Sequence, residues 1–316
     1  MSRLFKTIYK TVMIILLTVI LLFMLTVLGL NAAKFLIYPD YYARAKAVAK
    51  IPGFDDGFIC QGIAASDDAD TILVSGYMKD GSASRIYVTD VENNSHYVTL
   101  AHGGEPHTGH AGGITVANGV IYVASSKKIN VISLDTVLNA KNGAEVEFEE
   151  RIATNNSASY IYSDDDYLYV GEFHDGGKYV TDHPYETPEG MHHAIVSRYS
   201  LTDLSKPDMI ISVRDKVQGI CFTPDGKIVL STSYGLADSV YYVYSETDLI
   251  KSENTLDGCD VYYLSGEPRT IKGPAMAEGL DMRGDKIITL TESASEKYLF
   301  GKLFFADNII AIDYNK

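Results

Sequence analysis

Gln218–Gly235 reads QGICFTPDGKIVLSTSYG: a small-residue opening, a short apolar run, a Pro-Asp-Gly turn and a second run rich in Ile, Val and Leu. Asp and Gly supply the backbone conformations that tight hairpins need, so the stretch reads as two antiparallel strands. The same unit recurs as QGIAASDDADTILVSGY (Gln61–Tyr77), GGITVANGVIYVASS (Gly112–Ser126), SASYIYSDDDYLYVGEF (Ser157–Phe173) and EGLDMRGDKIITLTES (Glu278–Ser293). A third alternating run follows each copy: RIYVTDV (85–91), INVISLDTV (129–137), AIVSRYSL (194–201), SVYYVYSE (239–246) and NIIAIDY (308–314). Four copies add a fourth run: HYVTLA (96–101), EVEFEERIA (145–153), MIISV (209–213) and EPRTIKG (267–273).

Units of four short strands repeating at 51, 45, 61 and 60 residues are the pattern of a β-propeller. Five copies predict an all-β, five-bladed ring over residues 43–316, with six blades as the rival count. The fifth copy lacks an outer strand before the chain reaches Lys316. ARAKAVAKI (43–51) alternates in the manner of a strand and is expected to complete blade five, which would remove an exposed edge.

Outside the repeats, residues 11–33 contain no charge, a run of 23 residues that reaches roughly 34 Å as a helix. Arg3, Lys6 and Lys10 precede it, which predicts a cytoplasmic tail (1–10), a transmembrane signal-anchor (11–33), a linker (34–42) and an extracytoplasmic propeller. A cleaved signal peptide is the alternative, but it has a shorter apolar core, and Asn31-Ala32-Ala33 is a poor small-x-small site. The 316 residues carry −14 in all; residues 1–40 carry +3, which leaves −17 on the body. That balance argues against a nucleic-acid partner. Three cysteines, Cys60, Cys221 and Cys259, are too few for a disulfide framework and read as small buried hydrophobes.

The QGI and EGL strand openings and the tail MAEGLDMRGDKIITLTESASEKY resemble those of secreted or membrane-anchored bacterial β-propellers, a largely uncharacterised family. More distantly they are similar to the lactonase and strictosidine-synthase-like group. The resemblance covers residues 57–316 and implies a fold; it carries no function.

First strands line a propeller's channel, so Gln61, Gly112, Ser157, Gln218 and Glu278 are expected to ring the axis. Glu278 is the ionisable member. It is a candidate general acid, base or metal ligand, with Gln61 and Gln218 beside it and a calcium-like divalent cation as the fitting ion. Glu172 and Glu292 close second strands and are candidates to face the same cavity. Seven of the eight histidines fall in loops of one face, with His96 elsewhere; His110, His107 and His174 are the leading site candidates. Tyr179, Tyr185, Tyr234 and Tyr298 lie in the same loops and would suit a glycan. Asp67, Asp68, Asp70, Asp164–Asp166, Asp225 and Asp285 all sit at the turn between first and second strands and read as turn chemistry, with a metal site as the competing reading. No HExxH, GxSxG or phosphate loop occurs. Two functions fit: a tethered module binding a small molecule, a glycan or an envelope protein, and a metal-dependent hydrolase of a lactone, ester or glycoside.

Overall fold

The computed structural model describes residues 3–66 and 70–316. Asp67 and Asp68 lie outside that range. The described residues form five antiparallel four-stranded blades around an axis. Blade one is Phe58–Ala65, Thr71–Met78, Arg85–Asp90 and Ser95–His102. Blade two is Gly113–Ala117, Val120–Ser125, Lys128–Ser133 and Glu150–Ala153. Blade three is Tyr160–Ser163, Tyr167–Gly171, Ala194–Ser200 and Met209–Val213. Blade four is Val217–Phe222, Lys227–Thr232, Ser239–Ser245 and Arg269–Gly273. Blade five takes Ala277–Arg283, Lys286–Thr291 and Asn308–Ile312 from the C-terminal end and Ala45–Lys50 from the N-terminal end. The closing strand pairs antiparallel, with Ala45 opposite Ile312 and Lys50 opposite Asn308, in keeping with the alternation of 43–51.

Four glycines explain how five inner strands fit around so narrow an axis. A Cβ on Gly113 would lie 2.5 Å from the amide nitrogen of Ile161, and one on Gly62 would lie 2.7 Å from that of Ile114. Gly219 and Gly279 face Leu280 and Gly62 in the same way. The glycine of each QGI or EGL opening is thus the point where one blade's backbone rests on the next. Apolar side chains fill the wedges between blades: Leu73, Ile86 and Val98 of blade one pack on Ile114, Ile121 and Val123 of blade two. Each such fully buried side chain contributes about 1.5–3 kcal/mol.

Two features depart from the sequence reading. EVEFEERIA is two strands: Ala144–Glu147 crosses back and pairs in parallel with the outer strand of blade one, and Glu150–Ala153 alone serves blade two. Val146 and Phe148 are both buried in the wedge between those blades, and following that wedge carries the chain off blade two. Blade four repeats the device, since its hairpin Leu249–Leu256 and Cys259–Leu264 adds in parallel to the outer strand of blade three. The second departure is the segment 34–42. Helix α1 runs Arg3–Ile37, and α2 (Pro39–Arg44) follows at once. Tyr41 is buried beside Tyr241, and the Tyr38 hydroxyl donates to Asp238 at 2.9 Å. Tyr38 and Tyr41 are thus packing contacts that fix the helix to the ring.

α1 is long and apolar enough to cross a membrane by length and composition.

Candidate functional site: the axial cavity

A cavity of about 1050 Å³ opens on the face that carries the loops between second and third strands. Gln61, Gly112, Ser157, Gln218 and Glu278 all line it, together with Glu292 and His110. The backbone explains the aim of three of them. Strand register slips between Cys60 and Gly62, between Val217 and Gly219, and between Ala277 and Leu280. Each slip is a β-bulge, and bulges re-aim a side chain. The shifts fall at Gln61, at Gln218 and at Glu278-Gly279.

Blade three follows another rule. Its register puts Tyr160 opposite Gly171, in the slot that glycine fills in the other blades, so the ring position there is Ser159. A Cβ on Gly112 would meet the Ser159 carbonyl at 2.2 Å. Ser157 still lines the cavity, two residues upstream of that position, and its Oγ lies 3.0 Å from that of Ser159.

The floor holds a carboxyl pair. Glu278 and Glu292 are 4% and 9% exposed. Burial, then the charge of Glu292, pushes the Glu278 carboxyl well above the usual range. Glu292 is pushed up to about 7, burial again leading, against hydrogen bonds from Tyr298 and Gln61 and the charge of Lys297. The Gln61 amide donates to Glu292 Oε2 at 3.0 Å and to the Cys60 carbonyl at 2.8 Å. Near neutral pH the pair holds one shared proton in preference to two adjacent charges.

His110 stands on the wall with its ring edge-on to Tyr77 at 4.7 Å. Burial, with Lys297 and Lys178 adding to it, lowers its pKa and keeps the imidazole neutral. Tyr179, Tyr234 and Tyr298 also reach the cavity. Tyr185 is not among the lining residues; it pairs with Ser252 near the hairpin added to blade three.

Three other candidates fall outside the cavity lining. His107 is buried behind the wall, its Nε2 3.1 Å from Ser125 Oγ and its ring on Phe148; burial lowers its pKa to about 4. Glu172 is buried and anchors the long loop of blade three: its Oε1 accepts from His183 Nδ1 at 2.7 Å and from the Ile195 amide at 3.2 Å. His174 lies under that loop, stacked on His193 at 4.7 Å and 14°. Among the described residues, His174, His193 and Asp215 place one ligand atom each within 4.8 Å of one another, a geometry that could hold an ion. Sequence spacing does not show this trio, because the members come from a loop, a strand start and the turn into blade four.

The Asp turns act as turns in the described part of the chain. Asp164 accepts from the amides of Asp166 and Tyr167 and from the Tyr169 hydroxyl, and Asp225 accepts from Thr223 and Tyr314. Cys60 and Cys221 are buried and Cys259 half-buried, all as free thiols.

No protein-family model and no curated protein matches the chain. Solved structures with a similar chain path include the PQQ-bound aldose sugar dehydrogenase of Streptomyces coelicolor (10% identity, TM-score 0.44, covering 84% of this chain and 95% of that one). A putative oxidoreductase (glucose dehydrogenase) of Thermus thermophilus matches at 12% identity and TM-score 0.41, covering 85% and 99%. Kuenenia stuttgartiensis hydrazine synthase matches at 12% and 0.38, covering 73% of this chain; the chain spans 61% of that protein.

Proposed function

We propose that this chain is a membrane-tethered, extracytoplasmic propeller that binds a small molecule in its axial cavity. The observation that carries the reading is the cavity itself: about 1050 Å³, with five blades contributing to its lining. Its floor is polar and its wall aromatic. That volume sits at the upper end of ligand pockets, roughly 300–1,000 Å³, and a few convergent polar groups at the base of an otherwise apolar cleft suit orientation of one ligand. Arg3, Lys6 and Lys10 in the first turns of α1, ahead of its charge-free run, support an N-terminus in the cytoplasm. The test is native mass spectrometry of the full chain released from membranes. A bound small mass in the wild type that is lost in Gln218→Ala supports the reading; no bound mass, and no ligand found by thermal-shift screening, overturns it.

The Glu278–Glu292 pair favours a second reading, hydrolysis assisted by a divalent cation. Two carboxylates with the amide oxygens of Gln61 and Gln218 form a hard oxygen set that suits calcium, and a cation would replace the shared proton. His110 lines the same cavity as Glu278, which this reading requires. A stoichiometric ion in the wild type that disappears in Glu278→Gln would support it; no ion in either protein leaves the binding module.

A further inference from the structure

The cavity mouth is ringed by side chains that water does not favour. Tyr179, Val180, Tyr234, Leu236, Leu299 and Phe300 all line it, yet remain exposed; Leu299 is 63% and Phe300 58% exposed. Apolar side chains gathered in this way mark an interaction surface.

The same rim is fastened to α1. Phe23 packs edge-on against Phe300 at 6.1 Å, and Asn31 Nδ2 donates to the Lys302 carbonyl at 2.9 Å. Lys34 Nζ donates to the Phe305 carbonyl at 3.1 Å. Phe23, Val27, Leu30, Asn31 and Lys34 are half-buried positions on one face of the helix, over roughly 17 Å. Phe23 lies in the middle of the charge-free run 11–33. A bilayer that covers that run therefore reaches Phe300, and the mouth cannot stand clear of it.

Charge follows the same pattern. The body carries −17, yet lysines collect around this mouth. Lys127, Lys178 and Lys297 line it, while Lys216 lies against Tyr234. Lys178 sits over the Tyr179 ring and Lys297 over those of Tyr77 and Tyr298. Lysine paired with an aromatic ring suits the level of lipid headgroups, where one end of each side chain is apolar and the other wet.

We propose that the cavity opens onto the bilayer and takes an amphiphilic lipid head-first from it. The headgroup is uncharged and hydroxyl-rich. It meets Gln61, Gln218, Ser157, Ser159 and the Glu278–Glu292 pair, all of which can exchange hydrogen bonds with hydroxyls. A phosphate would be repelled there by the carboxyl pair. The chains leave across Leu236, Leu299 and Phe300 into the leaflet, and the lysines meet the phosphates of neighbouring lipids. This deepens the binding reading above and rests on it, and on the membrane-spanning role of α1.

The chain contains no Trp, so a single introduced Trp is its only indole emitter. Full-length Phe300→Trp and Asp165→Trp are placed in lipid nanodiscs; Asp165 is an exposed turn residue on the opposite face. Lipid brominated along its acyl chains should quench most of the Phe300→Trp emission and none of the Asp165→Trp emission. Equal, unquenched emission from both overturns the proposal and leaves the small-molecule reading to its own mass-spectrometric test. In a second arm, glucosyl diacylglycerol in the disc should raise the Tm of the wild type but not of Gln218→Ala or the milder Ser159→Ala. Free methyl glucoside at the same concentration should bind at least about tenfold more weakly. Equal binding of the two probes overturns capture from the bilayer while keeping cavity binding. No shift with either, in discs where Phe300→Trp is quenched, overturns the proposed headgroup.

Discussion

Glu292 holds a carboxylate where burial opposes its charge, and its stability effect has a definite sign. A folded-state pKa of about 7 stands above the unfolded value of about 4.3. Its contribution is therefore fully present below about pH 4.3 and lost as pH rises through about 7. Glu292→Gln removes that loss. The difference in Tm between variant and wild type should shift in favour of the variant as pH rises across this window, measured by calorimetry at a series of pH values; a pH-independent difference would show that the carboxyl is not buried in its neutral form. Comparing the two proteins cancels Asp281, also raised to about 7, and His107, whose lowered pKa acts in the opposite direction. The thiols give a second residue-level expectation. Burial raises Cys60 and Cys221 far out of the reactive range, whereas Cys259 is only half-buried. An aromatic disulfide reagent should titrate one thiol in the native protein and the other two only in denaturant.

At the level of elements, the close approach of inner strands makes its own demand. In Gly113→Val the new side chain would meet backbone atoms of Tyr160 and Ile161, which cannot rotate away. A loss of about 1–3 kcal/mol is expected, read from the denaturant midpoint. The same positions show what is legible before any coordinates. The glycine in QGI, GGI and EGL betrays the contact between blades, and the residue before it in blades one, two, four and five lines the cavity. Blade three hides its register because Tyr160 takes the glycine's slot and Gly171 yields to it, so the pattern points to Ser157 where Ser159 stands. The strands Ala144–Glu147 and Cys259–Leu264 are hidden for another reason. A strand added in parallel to a neighbouring blade has the same alternation as one that stays at home, and only the tertiary contact tells them apart. The site is legible to the extent that it follows the repeat. Glu278, Gln61 and Gln218 can be placed; the proximity of Glu292 depends on a turn, and the histidines belong to two loops whose paths the repeat does not describe. That is why His107 and His174 fall behind the wall.

The whole molecule depends on a joint between its two ends. Ala45–Lys50 covers the edge of Asn308–Ile312. Removing residues 1–37 keeps that strand and the buried Tyr38 and Tyr41, and the propeller should retain its Tm within a few degrees. Removing residues 1–50 exposes the strand edge and should give a large loss of Tm together with aggregation, followed by calorimetry and light scattering. Equal behaviour of the two truncations would mean that the closing strand contributes nothing.

That joint also sets an order of events during synthesis. The closing strand is among the first parts of the body to be made, and its partner is made roughly 260 residues later. At about 5–20 residues per second, the early strand waits about 10–50 s for Asn308–Ile312. Throughout that interval the N-terminal helix is already made, while the ring it belongs to is still open. The ring closes last, beside the helix, with the finishing strand brought to an edge that was among the first parts of the body to be made.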